Sequence, residues 1–144
     1  MNYFDTSALI KRFVEEPGSK RVGAVLDGEP FLATSKVAYA EVHAGLARKL
    51  REKALSTAAA YRRTSRVFDT DWRAYVRVDL ADPLLLIVRD LVQRHPLRGF
   101  DAIHLASAMH LQEQLGEEIQ VVASDDRLLM AAGEEGLRTL DVRR

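Results

Sequence analysis

The chain opens on a short apolar run, "NYF", closed by an acid, Asp5. The spacing then changes. In "SALIKRFV" apolar residues recur every three or four positions, the period of an amphipathic helix, until Pro17 and Gly18 in "EEPGS" break it. A second helical stretch, about "SKRVGAVL", ends at "DGEP", and "FLAT" returns to an apolar, strand-like run. A long helix is predicted from near Ser35 to Lys53 and another from Ser56 to about Trp72, followed by "AYVRV" as a third strand. Two further helices, about Pro83 to Gln93 and Asp101 to Gln114, are separated by "HPLRG", where Pro96 and Gly99 enforce a turn. "IQVVA" reads as a fourth strand, "DRLLMAAGEEG" as a helix with a glycine stop, and "LRTL" as a fifth strand.

Strands alternating with helices of this length imply right-handed crossovers and a mostly parallel sheet with helices on both faces, an α/β fold. With no repeat, low-complexity linker or boundary along the chain, residues 1–144 read as a single domain. In such sheets the ligand site lies outside the carboxyl ends of the strands, where the order of the chain reverses. Asp5 follows the first strand at once, and Asp125 follows the fourth after one residue, Ser124.

Composition narrows the classes of function. The 144 residues are 47% hydrophobic, which suits one compact core. The longest apolar run, "PLLLIV", is followed by Arg89 and Asp90 and is too short to span a bilayer, so no membrane role is expected. The first residues lack the basic and apolar regions of a signal peptide, and there is no cysteine; a cytoplasmic protein without disulfides or thiolate metal sites is expected. Acids and bases balance at 21 each, which argues against a protein that coats nucleic acid through global charge. The distribution is uneven, however. Arg48, Lys49, Arg51, Lys53, Arg62, Arg63 and Arg66 stand against one acid, Glu52, between His43 and Val67. Such a run is either a solvated face or a phosphate-binding surface.

Each acid at a strand or helix start has a plain structural use. Asp5 and Asp125 can cap the helices that follow them, and Asp101 sits in a first helical turn, where the macrodipole favours an anion. Glu41 does not fit that pattern. Its neighbours on the long helix at three and four residues are Val37, Ala38, Ala44 and Gly45, an inward-packing face without a base. A carboxylate there demands a cation, either a distant Lys or Arg or a metal ion. The helix "DAIHLASAM" is apolar nearly all round, so it is buried with Asp101 at its mouth. Asp5, Glu41, Asp101 and Asp125, from four segments, suggest a site for a hard cation, Mg²⁺ or Mn²⁺. A site of that kind activates water and neutralises a phosphoryl group, and the basic run, with Arg48, Lys49, Arg62, Arg63 and Arg66, could hold the phosphodiester backbone.

The stretches "YFDTSAL", "SKVAYAEVHAGL", "GFDAIHLASAMHL" and "VVASDDRLLMAA" resemble, in order and spacing, the four acidic motifs of PIN-domain ribonucleases, specifically the VapC-like toxins of toxin–antitoxin pairs. The resemblance covers essentially the whole chain. It implies a PIN-like parallel sheet, Mg²⁺ or Mn²⁺ held by Asp5, Glu41, Asp101 and Asp125, endonucleolytic cleavage of RNA, homodimerisation, and a small antitoxin protein that blocks the site. Hydroxyls matching Thr6 and Ser7 line the pocket in that family, although capping the first helix is their ordinary use. One position departs from the pattern: the hydroxyl residue two before the last acid is replaced by Ala123, with Ser124 out of register. Taking Asp126 as the fourth acid would restore it, but the spacing of Asp125 to Leu128, Ala131 and Ala132 favours Asp125.

His104, three residues after Asp101, is expected to be a core residue or a neighbour of the ligands; His43, His95 and His110 carry no assigned role, and Trp72 and the tyrosines are expected mostly in the core. Two rivals remain. A haloacid-dehalogenase-type phosphatase would use an Asp after the first strand, but it wants a second Asp at position 7, which is Ser. The other is a non-catalytic RNA- or protein-binding module of the same fold.

Overall fold

The computed structural model describes residues 1–53 and 55–144. The elements run β1 (Asn2–Phe4), α1 (Thr6–Leu9), a 3-10 turn (Ile10–Arg12), α2 (Ser19–Gly28), β2 (Leu32–Ser35), α3 (Val37–Arg51), α4 (Ala58–Trp72) and β3 (Val76–Val78). Then follow α5 (Asp82–Arg94), α6 (Gly99–Leu115), β4 (Gln120–Ala123), α7 (Asp126–Glu134) and β5 (Arg138–Asp141). The alternation expected from the apolar pattern is the alternation observed, with ends shifted by a residue or two.

One stretch differs. "SALIKRFV" is not a single helix: after one turn of α1 the chain tightens into the 3-10 turn. There the buried Lys11 reaches the Glu16 carboxylate and the Pro17 carbonyl, both at 2.9 Å. Ile10 is seated against α3 at Gly45, where an added Cβ would lie 2.6 Å from its Cδ1. The period of the apolar residues could not register a tightening set by contacts with residues this distant.

All strand pairs are parallel, in the order β3-β2-β1-β4-β5. Successive residues of β1 point to opposite faces, so Tyr3 and Phe4 anchor two cores. Phe4 packs with Leu9, Val22, Val42, Leu46 and Phe68, from the helices between β1 and β3. Tyr3 packs with Leu84, Leu91, Leu105, Leu111 and Leu128, from α5, α6 and α7. Helix α6 is the most deeply set, with Ala102 to Ala108 all buried, which matches a sequence that is apolar on nearly every side. A left-handed Gly116 (φ 64°) ends it. Among the described residues no helix is long and apolar enough to cross a membrane.

The strand order places the candidate crevice. From β1 the chain winds outward to β2 and β3, then returns to the other side of β1 for β4 and β5, so the reversal lies between β1 and β4. The carboxyl ends of these two neighbouring strands are where Asp5 and Asp125 emerge.

Candidate active site

Asp5 and Asp125 are helix caps, as their positions suggested, but capping uses only part of each carboxylate. Asp5 Oδ1 accepts from the Ala8 N–H at 3.1 Å, and Asp125 Oδ1 accepts from the Leu128 N–H at 3.0 Å. The Ser7 hydroxyl donates to both oxygens of Asp5, at 2.8 and 2.9 Å, and accepts from the Ser124 N–H at 2.9 Å. One serine therefore ties the ends of β1 and β4 together. The Ser124 hydroxyl turns toward the Ser7 carbonyl at 3.5 Å.

Asp5 is 5% exposed, and burial pushes its carboxyl above the ordinary 3.8, against the opposing pull of His104, the Ser7 hydroxyl and the Ala8 and Ser7 amides. Among the described residues no Lys or Arg nitrogen sits on it in an ion pair. A buried carboxylate answered only by dipoles and an imidazole has room for a cation.

The cation that Glu41 demanded is neither a distant Lys nor an Arg in direct contact. His104 Nε2 lies 2.8 Å from Glu41 Oε1, and the Thr6 hydroxyl donates to the same oxygen at 2.8 Å. On the far side of the ring, His104 Nδ1 meets the Tyr3 hydroxyl at 2.9 Å. Tyr3 is fully buried and its phenol is satisfied by Nδ1, while Nε2 faces the carboxylate. Tyr3, His104 and Glu41 thus form one hydrogen-bonded row. Burial alone would raise the Glu41 carboxyl, but the bonds from His104 and Thr6 and the charges of His104 and Arg98 hold it below the usual carboxylate range.

His104→Ala should leave the buried Tyr3 hydroxyl without a partner and Glu41 Oε1 with Thr6 alone, lowering stability by about 1–3 kcal/mol. His104→Gln, which keeps an N–H for Glu41, should lose less. The sign of the pH effect follows from the lowered Glu41 value: the stability it contributes is present above about pH 4.5 and fades as pH falls. Acid melting curves of the two variants check both statements, and an Ala variant as stable as wild type at pH 7 would refute the positioning role.

Asp101 is the third residue of α6, and Oδ2 accepts from the Arg98 backbone N–H at 3.3 Å and from its Nε at 3.1 Å. Another Arg98 nitrogen is 3.9 Å from Asp125 Oδ2. A guanidinium thus stands at the rim between two acids. Sequence reasoning missed Arg98 because a lone base before a helix is common, and its approach to Asp125 depends on the packing of α6 beside α7.

Asp5, Thr6, Ser7, Glu41, Arg48, Arg98, Asp101, His104 and Asp125 line one cavity of about 400 Å³. Asp126 points away, its carboxylate paired with Arg143 at 2.6 and 2.7 Å. Of the basic run, only Arg48 lines this cavity. Lys49 is tied to Glu16 at 2.9 Å, while Arg63 and Arg66 border a separate hollow on α4 with Val67, Thr70 and Asp71, and Arg62 lies exposed on the same helix. Trp72 packs tilted against Tyr39 and Phe68, which stack on each other, and Tyr75 meets Trp72 edge-on, an aromatic cluster between α3 and α4.

Among the described residues no three Asp, Glu or His side chains converge closely enough to grip one ion as they stand. The cause is visible, since Glu41 is turned to His104 and Asp101 to Arg98. That spread is compatible with Mg²⁺, which is commonly held through one or two carboxylates and keeps several waters. The donor set, all oxygen and all anionic, fits a hard divalent cation.

The chain matches the PIN-domain model over residues 3–134 and belongs to the PIN-domain family. Within it, the chain is 37% identical over 127 residues to Ribonuclease VapC45 of Mycobacterium tuberculosis, covering 88% of this chain and 85% of the relative. Solved structures share the fold at lower identity. The toxin–antitoxin complex from Klebsiella pneumoniae aligns with a TM-score of 0.63 at 18% identity, covering 87% of each chain. PAE2754 from Pyrobaculum aerophilum aligns with a TM-score of 0.62 at 21% identity, covering 96% of this chain and 87% of that one.

Proposed function

We propose that this chain is a divalent-metal-dependent endoribonuclease and the toxin of a toxin–antitoxin pair. The observation that carries the proposal is the joining of Asp5, Glu41, Asp101 and Asp125 around one cavity at the sheet reversal, in a PIN-domain chain similar over most of its length to a named ribonuclease. In this reading the four acids hold Mg²⁺ or Mn²⁺. When bound, such an ion makes water nucleophilic near neutral pH and offsets charge on the phosphoryl group. The chain's own residues do the remaining work. Ser7 fixes the Asp5 carboxylate and, through the Ser124 amide, the spacing of the two strand ends. His104 and Thr6 keep Glu41 ionised and aimed. Arg48 and Arg98, the bases lining the acid cavity, hold RNA phosphate beside it.

Lys49, Arg62, Arg63 and Arg66 extend this surface in the proposal, as a track for backbone further from the cut. The antitoxin partner follows from the family. So does homodimerisation, for which Leu85 and Val92, exposed and two turns apart on one face of α5, supply apolar surface. A phosphatase of the haloacid dehalogenase type would want a second carboxylate two residues after Asp5 as general acid, and Ser7 stands there with its hydroxyl turned to Asp5.

Purified protein should cut single-stranded RNA in Mg²⁺ or Mn²⁺, stop in excess chelator and resume when the ion is restored. Cleavage that persists undiminished in chelator would overturn the metal-dependent mechanism. Absence of cleavage with every divalent ion, alongside retained RNA binding, would favour the non-catalytic module.

A further inference from the structure

A second cavity of about 470 Å³ is lined by Glu41, Arg98, Gly99, Phe100, Asp101 and Ile103. Glu41, Arg98 and Asp101 belong to both cavities, so the two adjoin at the rim of the acid site. Nothing in the proposed cleavage step uses this second space. Its wall nevertheless carries an apolar ring in the open: Phe100 is 56% exposed, on a helix whose next seven residues, Asp101 apart, are buried or nearly so. Arg98, two residues earlier, is 75% exposed by its side chain, yet it is held by Asp101 and lies close to Asp125.

An exposed aromatic face and an anchored guanidinium bordering a phosphodiester-cleaving cavity have the chemistry that a single-stranded nucleotide requires. The base stacks on the ring, and the fork of N–H donors takes the phosphate. We propose that this second cavity is a nucleotide subsite next to the scissile position, with the base stacked on Phe100 and the linking phosphate bound by Arg98. The inference rests on the reading of the acid cavity as a ribonuclease site. It adds what the acids alone leave open, namely how an anionic strand is held beside four carboxylates. Arg98 supplies the opposing charge at the joint between the cavities, and its anchoring by Asp101 means little ordering is needed when phosphate arrives. The ligand must be single-stranded, because a base within a duplex is already stacked on its neighbours and cannot lie on Phe100.

The test uses full-length protein carrying Asp5→Asn, to prevent cleavage, with Mg²⁺ and a fluorescein-labelled single-stranded RNA read by anisotropy. Adding Phe100→Ala or Phe100→Leu should weaken binding by roughly 5- to 150-fold, the range for loss of one base–aromatic stack. Phe100→Tyr, which keeps the ring face, should bind as the parent does. An RNA carrying 2-aminopurine should show quenching on the parent and on the Tyr variant but not on the Ala variant. Arg98→Gln should flatten the dependence of log K on log salt by about 0.7, the share of one phosphate on a single strand.

Unchanged affinity and quenching in Phe100→Ala would overturn the subsite. So would a change in sedimentation of that variant with RNA binding intact, which would assign the ring to contact between two copies of the chain. The two levels of the proposal separate cleanly. If Phe100-dependent binding is found but the wild-type chain cuts no RNA, the ribonuclease reading fails and the subsite stands. If the wild-type chain cuts RNA and Phe100→Ala binds normally, only the subsite falls.

Discussion

Asp5→Asn should reduce RNA cleavage by more than about 100-fold, beyond the 10- to 100-fold typical when only an outer-shell partner of a metal site is lost. The same substitution should raise the melting temperature of the protein in chelator at pH 7. The two effects share one cause, a buried carboxylate that only dipoles and an imidazole oppose. Asparagine keeps an oxygen for the Ala8 N–H and a polar group for Ser7, so the cap survives while the charge goes. Because burial raises the folded-state value of Asp5 above 3.8, the unfolded chain releases this proton first. Its penalty is absent below that pH and grows as pH rises through the folded value. The stability difference between variant and wild type should therefore open above about pH 4 and close below it. Mg²⁺ should raise the wild-type melting temperature and raise the variant's less, as expected for an ion that binds only the folded state. Equal melting at pH 7, together with retained cleavage, would sink the assignment.

The acid pair at the start of α7 should divide sharply. Asp125→Asn should remove most of the turnover with folding preserved, since the cap bond from Leu128 can be kept by an amide oxygen. Asp126→Asn should leave turnover within about 2-fold and cost well under 1 kcal/mol, because its carboxylate makes an exposed pair with Arg143. Single-turnover cleavage and thermal melts on the two variants decide the matter. If Asp126→Asn proves the inactive one, the fourth acid lies one residue later than proposed.

The sequence carried the acids but not the strand order, and the order is what brings them to one cavity. A run such as "NYFD" declares a buried strand with a charge at its end because burial and ionisation conflict. Nothing local declares that β4, more than a hundred residues later, will lie against β1; strand-end position and family resemblance put Asp5 with Asp125, while the Ser7–Ser124 bond that joins the two ends shows only in the folded chain. Glu41 shows the same limit from the other side. Its apolar helical face revealed that it needed a partner, but His104 belongs to another helix and contacts it only because α6 runs beside the sheet's end. The basic run was visible as a count of charges, and a count cannot show that Lys49 is already engaged by Glu16 while Arg48 reaches the cavity. Arg98 and Phe100 were overlooked for the opposite reason: one base and one ring at a helix start are too ordinary to attract notice until a cavity is seen between them.

The dispersal of the four acids along the chain, at positions 5, 41, 101 and 125, bears on biosynthesis. Asp125 is added about 120 residues after Asp5, roughly 6–24 s later at ordinary rates of translation. In the proposed reading, until it leaves the ribosome and β4 takes its place beside β1, the nascent polypeptide lacks one of the four acids of its catalytic centre. A ribonuclease arranged in this way is inert toward its own messenger during nearly the whole of its synthesis. Any polypeptide truncated before β4 should be harmless to the cell that makes it.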